Sequence, residues 1–331
     1  MRYLRPKIPK EMSKDNFIQF LREGMLPIAM VAGAAAYLAY HFIPALHPLG
    51  PVCNRIASDG QRVVIAVLLF FQFVKTSPHD LKLHRWHLYL LLFQGLSFIL
   101  AGFLAVHTEE HEIRILLECA MLCFICPTAS AAGVITERLG GSLHGTMTYV
   151  LLINLAATLL IPTVIPLVRP SNTLGFWQYV VLLAGRIFPL LIGPCLLAWV
   201  IRYTTKKLQR TLMRWSRHAF YVWGVGLFLA ILLATKALLH SDLSVGTIFC
   251  IVLVSMACTA IQFIFGRKSG RSHEDKITAG QALGQKNTGF LIWLGYTYMT
   301  PVTSIAGGLY AIWQNLFNSW ELYRHEHGKE I

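Results

Sequence analysis

The stretch that decides the fold is Gly280-Gln281-Ala282-Leu283-Gly284-Gln285-Lys286-Asn287-Thr288-Gly289, inside an otherwise apolar segment at 277–298. Its ten residues include three glycines and five polar side chains. Irregular backbone is not tolerated against lipid, so such a segment must line a cavity or pack against other protein. A second apolar segment contains Cys126-Pro127-Thr128-Ala129-Ser130-Ala131-Ala132-Gly133, where proline removes a backbone donor. We expect two interrupted helices, although close helix packing through small residues is an open alternative.

The composition indicates that lipid covers much of the surface. The chain has 331 residues, of which 55% are hydrophobic and 14% are charged. Soluble domains carry about a quarter charged residues. Since a helix needs about 20 apolar residues to cross a bilayer, the sequence predicts an all-α integral membrane protein. Its ten predicted spans are 24–43, 60–75, 87–106, 115–135, 146–168, 175–201, 218–239, 244–266, 277–298 and 301–322.

The basic residues alternate between the connecting segments. Six stretches on one side, the termini included, hold 22 of the 29 Lys and Arg residues. By the positive-inside rule both termini are cytoplasmic, in a multi-pass protein of the cell membrane. This placement accounts for the net charge of +13 without nucleic acid, and nothing resembles a nucleotide-binding loop. The predicted organisation is a basic N-terminal tail at 1–23, a first repeat at 24–168, a second at 169–322, and a C-terminal tail at 323–331.

The two halves resemble each other weakly. Met25-Leu26-Pro27-Ile28 matches Ile187-Phe188-Pro189-Leu190 at an offset of 162 residues, and at that offset Cys126-Pro127-Thr128 falls on Thr288-Gly289-Phe290. Each repeat has five spans, an odd number, so the second repeat starts on the opposite side of the membrane and the two repeats must be inverted. Inverted repeats with discontinuous helices in matching positions, here spans four and nine, are typical of alternating-access carriers.

Lys286 is the most informative residue. A lysine at this depth costs several kcal/mol (roughly 3 or more) unless it is paired or solvated. It either replaces a bound cation, pairs with an anionic substrate, or loses a proton during transport, which desolvation would favour. Half-helix N-termini would add positive dipole ends that attract anions. The predicted substrate-binding residues are Thr128, Ser130, Lys286, Asn287 and Thr288.

These motifs together resemble the bile acid:sodium symporter family over nearly the whole chain. The matching stretches are Cys126–Ile135, Gly284–Gly289, Ile312–Leu316 with Ser319, Thr76–Leu81 and Thr158–Pro162. The resemblance implies a ten-span fold in which spans four and nine cross at the midplane. It also implies sodium-coupled uptake of organic anions, and inward-facing positions for Trp313, Asn315 and Asn318.

The sodium ligands that the resemblance implies are largely missing. The Ser-Asn pair of span four falls on Ala132 and Gly133, the span-nine glutamate falls on Ala282, and a glutamine ligand falls on Lys286. We therefore hypothesise that Lys286 takes the place of the cation, so that transport is sodium-independent or proton-linked. No other cofactor is expected. The residues left for ion or proton coupling are Lys286, Asn154, Thr158, Gln285 and Gln94.

The favoured prediction is a non-enzymatic secondary transporter for a small organic anion, a carboxylate or sulfonate, bile-acid-like molecules included. One alternative is a non-transporting receptor or regulatory protein on the same fold. Another is metalloid efflux, because Cys119, Cys123 and Cys126 share one face of span four and thiols bind soft metals. Glu118, near the outer end of that span, is expected to be reached by water.

We expect uptake of a transported acid into proteoliposomes to proceed at equal rates when external sodium is replaced by choline. The reason is that no carboxylate stands at the predicted ion position. A rate that collapses without sodium, with Lys286 intact, would contradict the hypothesis.

Overall fold

The computed structural model describes residues 14–328, with side chains described from Met25 onward. Most of the predicted N-terminal tail and the last three residues of the C-terminal tail lie outside the described residues. The described helices are α1 Lys14–Phe42, α2 Gly50–Lys75, α3 Arg85–His107, α4 His111–Ile125, α5 Ala132–Arg138, α6 Leu143–Val168, α7 Phe176–Leu191, α8 Gly193–Thr204, α9 Lys206–Trp215, α10 Ala219–Leu239, α11 Val245–Ser269, α12 His273–Gly284, α13 Thr288–Tyr298 and α14 Ser304–Glu326.

The chain is an all-helical, multi-pass membrane protein. Six helical segments are long and apolar enough to cross a bilayer, and the pair α7 and α8, bent by 41°, makes a seventh. No strand occurs within residues 14–328. Leu and Val side chains such as Leu96, Leu159 and Val181 are 62%, 71% and 69% exposed. Such exposure is favourable only against lipid.

Several boundaries differ from the sequence prediction. Helix α2 begins at Gly50, ten residues before the predicted span at 60–75, because a short 3₁₀ turn at Pro44–Leu49 leads directly into it. The predicted loop 202–217 is mostly the amphipathic helix α9. The span at 175–201 bends at Ile192, just before Gly193 and Pro194, since proline cannot continue the hydrogen-bond ladder.

Both expected interruptions are present. Helix α4 ends at Ile125 and α5 begins at Ala132, while α12 ends at Gly284 and α13 begins at Thr288. The two breaks meet, and Thr128 forms an antiparallel β-bridge with Lys286. Each broken helix thus supplies the other with backbone partners, which meets the demand that lipid places on irregular segments.

Two buried carboxylates tie the broken helices to neighbouring elements. Glu118, on α4, is fully buried, and its Oε1 accepts a hydrogen bond from Arg169 Nε at 2.7 Å. The hydroxyl of Thr300, just after α13, donates to its other oxygen at 2.7 Å. The expectation that water reaches Glu118 was therefore wrong, because Arg169 and Thr300 cover it. Glu321, on α14, is equally buried and binds Arg267 and Gln281.

Glycine allows the closest helix approach beside the second broken helix. Helices α11 and α12 pack so tightly that a Cβ on Gly266 would lie 2.4 Å from the carbonyl oxygen of Ala279. A backbone atom cannot move aside as a flexible side chain can.

We predict that Gly266→Ala destabilises the protein by about 1–3 kcal/mol through this overpacking. The measurement is thermal unfolding of the purified protein in detergent. Gly185→Ala is the matched control, because a Cβ on Gly185, in α7, meets nothing within 4 Å. Equal unfolding temperatures for the two variants would contradict the close approach.

Candidate binding site at the two broken helices

Paired backbone hydrogen bonds fix the geometry of the site. The amide of Ala129 donates to the carbonyl of Gln285 at 3.0 Å, and the amide of Asn287 donates to the carbonyl of Pro127 at 2.8 Å. Pro127 has no amide hydrogen, so it serves only as an acceptor in this pairing. The thiol of Cys126 adds a bond to the carbonyl of Asn287 at 3.1 Å.

Side chains satisfy the carbonyl groups that the breaks leave free. Tyr310 donates to the carbonyl of Gly284 at 2.8 Å, and Gln94 donates to that of Cys126 at 3.0 Å. Gln314 bridges Lys286 itself, accepting from its amide at 2.8 Å and donating to its carbonyl at 3.3 Å. The backbone around Lys286 is therefore held rigidly, because a buried polar group that loses its partner costs about 1–3 kcal/mol.

A cavity of about 70 Å³ lies beside this contact. Helices α2, α10 and α14 close it on the sides away from the breaks. Its polar lining residues are Gln61, Ser130, Gln285, Lys286, Asn287, Thr288, Gln314, Asn315 and Asn318. The volume is far below the several hundred Å³ (about 300 or more) usual for sites that hold drug-sized ligands.

Three residues that line the cavity each carry one buried side-chain atom without a hydrogen-bond partner. These atoms are Lys286 Nζ, Gln61 Oε1 and Asn318 Oδ1. Their residues are only 1%, 1% and 5% exposed. Buried polar groups are nearly always satisfied by protein or by a bound molecule. Three such residues around one cavity make it the candidate site for a polar ligand.

The sequence-predicted substrate residues divide into two groups. Ser130, Lys286, Asn287 and Thr288 line the cavity together, and so does Gln285. Thr128 is not among the lining residues, because its hydroxyl turns away and donates to the carbonyl of Ala282 at 2.6 Å. Its position supports the crossing rather than the cavity.

The other residues proposed for ion coupling lie outside the cavity lining. Gln94 accepts from the hydroxyl of Tyr149 at 2.7 Å and braces the first break. Thr158 donates to the backbone of Asn154 within α6 at 2.7 Å. Asn154 is fully buried with both amide atoms unpartnered. These positions stay predictions, separate from the site around Lys286.

Sequence reasoning missed two important residues of the site. Gln61 lies in the polar stretch Ser58-Asp59-Gly60-Gln61-Arg62 of α2, so no local feature of the sequence sets it apart. Gln314, not its neighbours Trp313 and Asn315, bonds the backbone of Lys286. Trp313 instead donates to Ser255 at 3.2 Å, whereas Asn315 and Asn318 both line the cavity, as the resemblance implies.

The cysteines of α4 are all buried. Cys119, Cys123 and Cys126 are at most 1% exposed, and Cys258, from α11, approaches Cys123. Within the part of the chain that the structure describes, no three His, Cys, Asp or Glu residues are arranged to hold a metal ion. The metalloid prediction therefore gains no geometric support.

The arrangement can hold a small anion by charge. Lys286, whose buried amine has no partner, lines the cavity together with Ser130 and Thr288. Asn287 also lines it and caps α13 by accepting a 3.2 Å hydrogen bond from the amide of Phe290. No protein-family model and no curated protein matches the chain.

We predict that Lys286→Met raises the thermal unfolding temperature of the unliganded protein. A buried amine without a partner is destabilising, and methionine fills similar space without charge. Lys236→Met is the control, because that amine donates to Asn54 Oδ1 at 2.7 Å and its loss should lower the unfolding temperature. A lower temperature for both variants would show that Lys286 is paired.

Proposed function

We propose that the protein is a secondary carrier that moves a small organic anion across the cell membrane by alternating access. The observation that carries the proposal concerns Lys286, which lines the cavity where two broken helices meet and whose buried amine has no hydrogen-bond partner. An interrupted helix is stable in a membrane only around a cavity or against protein, and transporters use such breaks to bind substrates.

The helices support ten crossings. Three of these crossings are not long, uniformly apolar helices. Two are broken, α4 with α5 and α12 with α13, and the third, α14, carries polar residues including Glu321. The remaining seven are α1, α2, α3, α6, α7 with α8, α10 and α11. The basic residues of the connecting segments favour cytoplasmic termini.

Inverted repeats are supported by the residues that line the cavity. Gln61 and Ile65 of α2 correspond to Trp223 and Leu227 of α10 at the same offset of 162 residues that relates Pro27 to Pro189. All four line the cavity. The packing repeats as well, since α3 contacts α4 and α6 while α11 contacts α12 and α14.

Alternating access follows from where the cavity lies. One wall consists of α2 and α10, and the other consists of the two breaks and α14. Movement of the first wall against the second would open the cavity to one side of the membrane at a time. On this proposal the chain is a divergent bile acid:sodium symporter relative in which Lys286 supplies the positive charge of the missing sodium. Transport is sodium-independent or proton-linked.

The test is a thermal-shift screen of short mono- and dicarboxylates and sulfonates on the purified protein. We expect a subset to stabilise the wild-type protein and none to stabilise Lys286→Gln, which keeps the volume but removes the charge. Stabilisation that persists in the variant would contradict the site.

Counterflow in proteoliposomes then separates a carrier from a receptor. An acid that stabilises the protein should exchange across the membrane when it is preloaded inside. Binding without exchange would contradict transport and favour the receptor.

A further inference from the structure

Helix α9 carries its charged and apolar residues on different sides. At about 3.6 residues per turn, one arc of about 100° holds its basic face, which consists of Lys206, Lys207, Arg210 and Arg214. The opposite side holds its apolar face, which consists of Leu208, Leu212 and Trp215. Met213 is the one apolar residue of α9 that lies beside the basic face.

The protein covers only part of the apolar face. Leu212 packs against the main hydrophobic core, and α9 contacts α2 and α8. Leu208 and Trp215, on the same face, are 43% and 62% exposed. Water is an unfavourable environment for such large apolar side chains, so we expect an apolar partner from outside the protein to cover them.

The neighbouring helices place α9 at the membrane surface. Thr205 alone separates α9 from α8, and the 3₁₀ turn Ser216–His218 joins it directly to α10. The segment that contains α10 is apolar enough to cross the bilayer, and so is the bent pair α7 with α8. Because both ends of α9 are tied to membrane-crossing helices, the whole helix lies within reach of the lipid headgroups.

No acidic residue balances the basic face. The sequence contains no Asp or Glu between Glu137 and Asp242. In the described part of the chain, none of the four basic side chains pairs with a carboxylate. Arg202, in the last turn of α8, donates to the carbonyl of Val74 at 3.5 Å, next to Lys75 at the end of α2. The positive charge thus extends from α9 to the ends of two neighbouring helices.

The combination of charge and apolar exposure selects the binding partner. A nucleic acid or another anionic polymer in water would bind the basic face and leave Leu208 and Trp215 uncovered. A layer of anionic phospholipid supplies both partners, since its phosphates attract clustered basic residues and its acyl boundary accepts apolar side chains. Tryptophan is favoured at that boundary because its ring is amphipathic.

We propose that α9, together with Arg202 and Lys75, forms a binding site for anionic phospholipids. The headgroup phosphates bind the basic face, and Leu208 and Trp215 insert beside the acyl chains. This inference is independent of the anion site at Lys286. Because α9 leads directly into α10, which lines the cavity, lipid binding fixes the end of a helix that forms the cavity wall.

The experiment measures quenching of Trp215 fluorescence in the full-length protein by brominated lipids. Proteoliposomes contain phosphatidylglycerol and phosphatidylcholine in equal amounts, with bromine on the acyl chains of one lipid or the other. The difference between the wild-type protein and Trp215→Phe isolates Trp215 from the other tryptophans. We expect brominated phosphatidylglycerol to be enriched at Trp215 at least about threefold over brominated phosphatidylcholine at low salt. Equal quenching by the two lipids would overturn the selectivity, and no quenching by either would overturn the placement of α9.

A fourfold variant tests the basic face. In Lys206→Gln, Lys207→Gln, Arg210→Gln and Arg214→Gln combined, we expect the two lipids to quench Trp215 equally. All four side chains are exposed, so their loss leaves the packing of the protein unchanged. High salt should also reduce the preference of the wild-type protein, because it screens exposed charges. A preference that is unchanged by both treatments would overturn the role of the basic face.

The matched control removes four exposed basic residues from other connecting segments or helix ends. These residues are Lys82, Arg85, Arg138 and Lys268. Their combined replacement by glutamine changes the net charge by the same amount, and we expect the preference at Trp215 to stay as in the wild-type protein. An equal loss of preference in the control would show a general effect of net charge and overturn the assignment to α9.

Discussion

The structure depends on the mutual pairing of two interrupted helices within a membrane. Each break leaves backbone groups that lipid cannot satisfy, and each finds its partners in the other, through the bridge between Thr128 and Lys286. Gln94, Gln314 and Tyr310 complete the pairing. Because an unsatisfied backbone group costs more in lipid than in water, neither break is stable without the other.

This constraint explains the position of the site. Where a helix is interrupted, the residues of the break direct their backbone and side-chain groups into space that a regular helix would fill. Here that space holds Lys286, whose backbone is fixed by Gln314 while its amine has no partner. Glu118 and Glu321 tie the same broken helices to neighbouring elements through their ion pairs with Arg169 and Arg267.

The two buried carboxylates, Glu118 and Glu321, differ in the hydrogen-bond partners that they orient. Glu118 joins Arg169 and Thr300, and Arg114 Nε lies 3.8 Å from its Oε1. Glu321 accepts a hydrogen bond from Gln281, and Gln281 accepts one from Gln285, so the carboxylate sets the orientation of both amides. Gln285 lines the cavity. A buried charge can thus orient neutral groups some distance away, since each amide in this hydrogen-bonded series must follow the first acceptor.

The sequence alone determined the all-helical membrane class and both interruptions, because apolar runs and clusters of glycine, proline and polar residues act locally. It also identified Lys286, since a lysine in such a run conflicts with its surroundings. Only the tertiary structure showed that Thr128 braces the crossing, that Glu118 is covered, and that Gln61 and Gln314 belong to the site. Those residues lie on helices far apart in sequence. Their roles depend on which side chains meet across the packed helices, which no local pattern encodes.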